Sequence, residues 1–127
     1  MPRDPNIPDA FDVYTVTLLR RPADAPAFTD DELDALQSQH LAYRAELRRD
    51  GQLVANGPFD EQSDESLRGL SIWTCDVEEA RRLSDLDPSV QAGRMTYDVF
   101  EWWVAAGTIA FPGTSNAVGD RRVMPDD

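Results

Sequence analysis

The order in which the periodic segments occur limits the fold of this chain more than any other feature. Asp12 to Arg20 (DVYTVTLLR) is rich in β-branched and aromatic residues and reads as a strand. Pro22 and Pro26 then enforce a loop. Thr29 opens T-D-D-E, a capping box in which Glu32 reaches back to the cap, so a helix is expected to start there. It runs to about Asp50, with Gly51 as its C-terminal stop. Gln52 to Val54 begins a short second strand, interrupted by a Gly57–Pro58 turn, and the polar segment DEQSDES makes a loop. Leu67 to Cys75 (LRGLSIWTC) reads as the third strand. Asp76, with Glu79 three residues on, caps a second helix. That helix is expected to end at Asp87, because Pro88 forces the residue before it out of helical geometry. A short turn to Gly93 leads into the last strand, Arg94 to Val104 (RMTYDVFEWWV).

The resulting order, β-α-β-β-α-β, is the split βαβ pattern of ferredoxin-like α+β folds. Right-handed crossovers would set both helices on one side of a four-stranded sheet. Yet the strands carry apolar residues on both faces: Leu18 beside Leu19, Ile72 beside Trp73, Val99 beside Phe100, Trp102 beside Trp103. Two helices cover one face only, so the other is expected to pair with the same face of a second subunit, making a homodimer. Residues 12–104 form the expected domain. Residues 1–11, with three prolines and two acids, read as an irregular lead-in. Residues 105–127, which mix Gly, Pro, Ser and acids around an apolar patch at Ile109–Phe111, read as an extended tail.

A chain of 127 residues is long enough for one real core. Its formal charge of −12 repels phosphate backbones, which speaks against nucleic acid and anionic membrane as partners. All twelve basic residues are arginines, many in doublets: Arg20–Arg21, Arg48–Arg49, Arg81–Arg82 and Arg121–Arg122. A solvated face or a helix C-terminus accounts for each doublet, with an anionic substrate as the alternative. A single cysteine, Cys75, excludes an intrachain disulfide and suits a reducing compartment. No signal peptide is visible at the start, and no apolar stretch approaches the ~18 residues of a membrane span. A cytoplasmic protein is expected.

Familiar catalytic machinery is missing. There is no Gly-rich phosphate loop. One His and one Cys far apart in sequence do not make a typical zinc site, and the carboxylates show no magnesium or calcium spacing. Neither a metal nor a cofactor is therefore expected. Ser38, two positions from His40 on one helix, faces elsewhere, which argues against a Ser–His pair. Cys75 reads as a small buried residue.

What remains is His40. At ~100° per residue, Leu33, Leu36, His40, Tyr43 and Leu47 fall within one stripe, so the imidazole sits on the apolar face. A core ring satisfied by one carbonyl is the competing reading, but burying an ionisable ring has a cost that a Leu would avoid. On the second helix, Val77, Ala80 and Ser84 mark the inner side, and continuing that spacing reaches Asp87. Asp87 also suits a cap for the turn that follows, and both roles can hold at once. A carboxylate accepting the Nδ1 proton would leave Nε2 as a base and stabilise the imidazolium formed on proton transfer.

These residues carry a resemblance. His40–Leu41 on a helix, G-Q-L-V-A-N-G-P-F at 51–59, the V-E-E-A helix start and Asp87–Pro88 resemble the YCII-like family over roughly residues 12 to 104. Gly57-Pro58-Phe59, an acidic loop and L-R-G are also similar to the DGPF-motif branch, with Asn56 in place of that motif's Asp. The resemblance implies a dimeric α+β barrel with a His–Asp site between helix and sheet. His40 would be the general base, Asp87 its orienting partner, and Gly57 and Pro58 part of the pocket wall. One branch of the family includes a hydroquinone dehydrochlorinase, and the barrel is similar to that of muconolactone isomerases.

Two functions follow as expectations. One is a cofactor-independent enzyme that moves a proton on a small cyclic or aromatic molecule, in elimination, isomerase or lyase chemistry. The other is a non-catalytic small-molecule binding or accessory module. A third reading, a pure assembly element, draws on Trp102–Trp103, which ordinary packing explains equally well.

Overall fold

The computed structural model describes residues 4–112 and the backbone of residues 122 and 123. Strand β1 (Ala10–Arg20) lies inside the sheet, antiparallel to β3 (Leu67–Trp73) on one side and β4 (Thr96–Ala105) on the other. β2 (Leu53–Pro58) flanks β3, giving the order β2-β3-β1-β4. Each βαβ unit thus leaves room for the strand of the other, and the fold is ferredoxin-like α+β. The β-branched run Val13, Thr15, Val16 and Thr17 is buried, as suits a strand covered from both edges.

Local capping sets the helix starts. Thr29 accepts from the Glu32 backbone N–H at 3.2 Å, and Glu32 accepts from the Thr29 N–H at 2.9 Å, beginning α1 (Asp30–Arg49). Asp30, Asp31 and Glu32 occupy its first turn and Arg48 and Arg49 its last, complementing the helix dipole. Asp76 accepts from the Glu79 N–H at 2.8 Å and begins α2 (Val77–Asp85).

Two boundaries differ from the sequence reading. The second helix stops at Asp85, not Asp87. Leu86 is its C-cap, and Asp87 opens a separate turn, α3 (Pro88–Gln91), by accepting from the Ser89 N–H at 2.8 Å. Gly57–Pro58 is not a turn either: β2 continues through it, with Gly57 opposite Leu70 and Pro58 opposite Gly69. An edge strand tolerates proline because the missing N–H is needed by no further strand. The backbones approach closely here, since a Cβ on Gly69 would lie 2.8 Å from the Gly57 carbonyl oxygen.

The core lies between the helices and one sheet face, where Leu47, Leu53, Trp73, Ala80 and Leu83 pack with Tyr43, Cys75 and Val99. Trp73 is wholly buried and donates from Nε1 to Thr17 Oγ1 at 2.9 Å. The Tyr43 hydroxyl donates to the Leu83 carbonyl at 2.7 Å, tying α1 to α2. Burial pushes the Cys75 thiol up to about 11. Against a free thiol near 8.5, its alkylation by iodoacetamide at pH 8 is expected to run on the order of 100-fold slower in the native protein than in urea. Equal rates in the two states would contradict this half-buried environment.

The opposite sheet face stays open. Phe100 and Trp102 are 48% and 40% exposed, and with Val16, Leu70 and Ile72 they line an apolar hollow of about 300 Å³. Tyr14 stands between Trp102 (centroids 6.3 Å apart) and Phe111 (5.5 Å, edge-on). A two-residue strand β5 (Arg122–Val123) pairs with Ala10 and Phe11 of β1. At these two points the expected tail returns to its own chain, while residues 113–121 and 124–127 lie outside the described residues. Among the described residues no helix is long and apolar enough to cross a membrane.

Candidate active site

His40 stands in the third turn of α1, with its side chain 13% exposed. Its Nδ1 lies 2.8 Å from Asp87 Oδ2 and 3.0 Å from Oδ1. An ionised carboxylate only accepts, so Nδ1 carries the hydrogen and Nε2 of the neutral ring is bare. Two elements make the contact: helical periodicity turns the ring inward, and the break at Leu86 swings Asp87 beneath it.

Asp87 is fully buried and densely bonded. Oδ1 accepts from the Ser89 N–H at 2.8 Å and from Ser89 Oγ at 2.7 Å, and Oδ2 accepts from Arg44 Nε at 3.0 Å. Burial alone would raise its pKa. The hydrogen bonds from His40 and Ser89 and the charge of Arg44 outweigh that and hold the carboxyl below the usual range. Capping and contact with the imidazole are therefore both real at this one side chain.

Arg44 is the residue the sequence reading passed over. One turn beyond His40, it is 1% exposed. Its Nη1 donates to Ser71 Oγ at 3.2 Å, and its guanidinium sits 5.5 Å from the Trp73 ring centroid. Nη2 is sealed from solvent without a hydrogen-bond partner. Burial pushes the Arg44 pKa down, and the charge of Asp87 works against that. The i+4 spacing from His40 was the available signal, but an arginine on a helix is ordinarily solvated. Ser71 and Ser89 gave no sequence signal at all.

Gly57 and Pro58 lie on the wall of a cavity of about 210 Å³ between α1 and the sheet, together with His40, Leu41, Ser71 and Met95. A neighbouring cavity, also about 210 Å³, shares His40, Arg21, Gln37 and Met95 with the first and adds Leu33, Leu36 and Ser89. Asp87 lines neither and sits behind the ring. Each space exceeds the roughly 150 Å³ that accepts benzene in an engineered core. Asn56, on the first wall, accepts from Arg48 Nη1 at 2.7 Å. Among the described residues no group of three or more His, Cys, Asp or Glu side chains is placed to hold a metal ion.

Fold and site together define a small ferredoxin-like α+β protein whose helix-side cavity presents an imidazole backed by a buried carboxylate. The family model for the YCII-related domain matches residues 14–103, and the chain belongs to that family. Among solved structures it is similar to the 5-chloro-2-hydroxyhydroquinone dehydrochlorinase TftG of Burkholderia phenoliruptrix AC1100, in complex with 2,5-dihydroxybenzoquinone. That match has 20% identity over 71% of this chain and 92% of that one, at a TM-score of 0.48. No curated protein is significantly similar in sequence.

Proposed function

We propose that this protein is a cofactor-independent enzyme in which His40 moves a proton on a small cyclic or aromatic molecule, in an elimination, isomerisation or lyase reaction. The observation that carries this reading is the 2.8 Å contact of His40 Nδ1 with Asp87 beside a cavity of suitable size, a pairing that favours the tautomer with Nε2 free to accept a proton. In this scheme Nε2 takes a proton from substrate carbon or oxygen, and Asp87 stabilises the imidazolium that forms. Ring and proton are returned when His40 protonates the product or the leaving group. Leu41, Leu70 and Met95 supply apolar contact for a ring, and Gly57 and Pro58 bound it from the edge strand.

The test is proton exchange in D₂O, followed by NMR on a panel of phenols, hydroquinones and lactones. Wild type is expected to exchange or convert at least one of them, and His40→Ala to slow it by about 10²-fold or more. Equal rates in the two proteins would sink the reading. The binding-module reading has one observation of its own: Asp87 already caps α3 and neutralises Arg44, duties a non-catalytic domain would equally need. Compounds that bind wild type and His40→Ala alike, with no exchange in either, would favour it.

We also propose that residues 12–104 are the functional unit and that its open sheet face pairs with a second copy to form the dimeric α+β barrel. The exposure of Phe100 and Trp102 on a face without helices supports this. Light scattering at micromolar concentration is expected to give about twice the 14.2 kDa chain mass, and Trp102→Asp to halve it. A monomer in the wild type would refute the pairing. The sole cysteine, an unpaired thiol, suits the reducing cytoplasm, and the charge of −12 disfavours nucleic acid as a partner.

A further inference from the structure

Three arginines that border the His40 cavities form no ion pair with any carboxylate among the described residues. Arg21 lies on the wall of both, Arg94 joins it in one and Arg68 in the other. The ion pairs among the described residues are Arg20 with Asp64 and Asp98, His40 and Arg44 with Asp87, and Arg82 with Glu79. None involves Arg21, Arg68 or Arg94. In a chain carrying twice as many acids as bases, 24 against 12, leaving three guanidiniums without an ion pair along two adjoining cavities is the unexpected arrangement.

Arg21 is the anchor of the group. Its neighbour Arg20 turns the other way, donating from Nε to Asp98 at 2.6 Å. The Nε of Arg21 is sealed from solvent and has no hydrogen-bond partner, a state that a folded protein ordinarily avoids. Burial, then the charges of Arg94 and Arg68, push its pKa down, so the positive charge there is held against both desolvation and repulsion. Asp34 shares a wall with Arg21 and Arg94 but is exposed and makes no ion pair with either. Arg21 and Arg68 also line an outer groove with Asp60, Glu61 and Glu65, but make no ion pair with these carboxylates; Arg68 Nη1 donates only to the Glu65 backbone carbonyl, at 3.3 Å.

We propose that Arg21, flanked by Arg94 and Arg68, is an anion-binding subsite beside His40, and that the substrate is a small ring bearing a carboxylate or an equivalent oxyanion. This rests on the reading of the cavity as a substrate site and names the class of molecule it takes. A planar guanidinium meets a carboxylate through two parallel N–H donors, an arrangement that fixes the orientation of a ring as well as its affinity. The anion would relieve the repulsion among the three cations, and its attached ring would lie against the apolar wall within reach of the imidazole.

The experiment compares benzoate with benzamide, its neutral analogue, by calorimetric titration at low ionic strength. Wild type is expected to bind benzoate about tenfold or more tightly than benzamide. Arg21→Gln is expected to abolish that preference, Arg94→Gln to reduce it, and Arg49→Gln, on the exposed end of α1, to leave it unchanged. Circular dichroism checks that each variant is folded; if Arg21→Gln is not, the wild-type preference and Arg94→Gln decide. Equal affinity for the two probes, or no benzoate binding up to about 10 mM, would overturn the proposal. Turnover does not enter the readout, so the subsite stands or falls separately from the role of His40 as a base.

Discussion

Asp87→Ala is expected to destabilise the protein by about 3–5 kcal/mol, seen as a large drop in the urea midpoint. Arg44 is the reason. Its guanidinium is almost wholly out of water, and the charge it faces is Asp87. Removing the carboxylate leaves a buried cation with only Ser71 and the Trp73 ring as partners. The substitution also strips α3 of its cap, a further cost of about 1 kcal/mol. Domains of this size are stable by roughly 5–15 kcal/mol, so the variant sits near the edge of folding. If the stranded charge is responsible, adding Arg44→Met to Asp87→Asn recovers part of the loss, whereas a purely geometric cap effect would not respond. The pH dependence has a definite sign. The folded carboxyl titrates below its unfolded value of about 3.9, so its contribution is complete above that pH and disappears as pH falls through the lower folded value. The gap between wild type and Asp87→Asn should therefore narrow below about pH 4. A gap that stays constant from neutral to pH about 3 would contradict the assigned ion pair.

Trp73→Ala is expected to cost a similar amount, about 3–5 kcal/mol. The ring is 0% exposed in the centre of the helix-side core, touching elements from α1, α2 and β2. Its effect reaches the site, because the same ring lies under the Arg44 guanidinium that pairs with Asp87. Trp73→Phe keeps most of the volume but loses the donor to Thr17 and the larger π-face. It is expected to cost about 1–2 kcal/mol, with the site perturbed more than the fold. Near-UV circular dichroism and urea unfolding measure the two parts. A Trp73→Ala protein with an unchanged midpoint would mean that the core is held from elsewhere.

Much of the architecture could be read locally. Thr29 with Glu32, Asp76 with Glu79, and Gly51 each act within a few residues of themselves, so helix starts and stops are written in the nearby chain. The order of elements then leaves few topologies, and the ferredoxin-like sheet is among them. The inward turn of His40 was legible because helical periodicity is a local rule. The fate of Asp87 was only half legible: its cap depends on Pro88 and Ser89 next door, but its contact with His40 spans 47 positions.

What the amino-acid sequence determined alone was the six main elements, their order, and which way the one imidazole looks; the short α3 and β5 were not among them. Only the tertiary structure decided that β2 runs on through Gly57 and Pro58, because that depends on β2 lying at an edge. It alone showed that Arg44, instead of pointing to water, shares one carboxylate with the imidazole, and that Arg21 stands on two adjoining cavities with Arg94 on one and Arg68 on the other. Local rules act through hydrogen bonds a turn apart. Charge pairing and cavity shape depend on residues that folding brings together from distant parts of the chain.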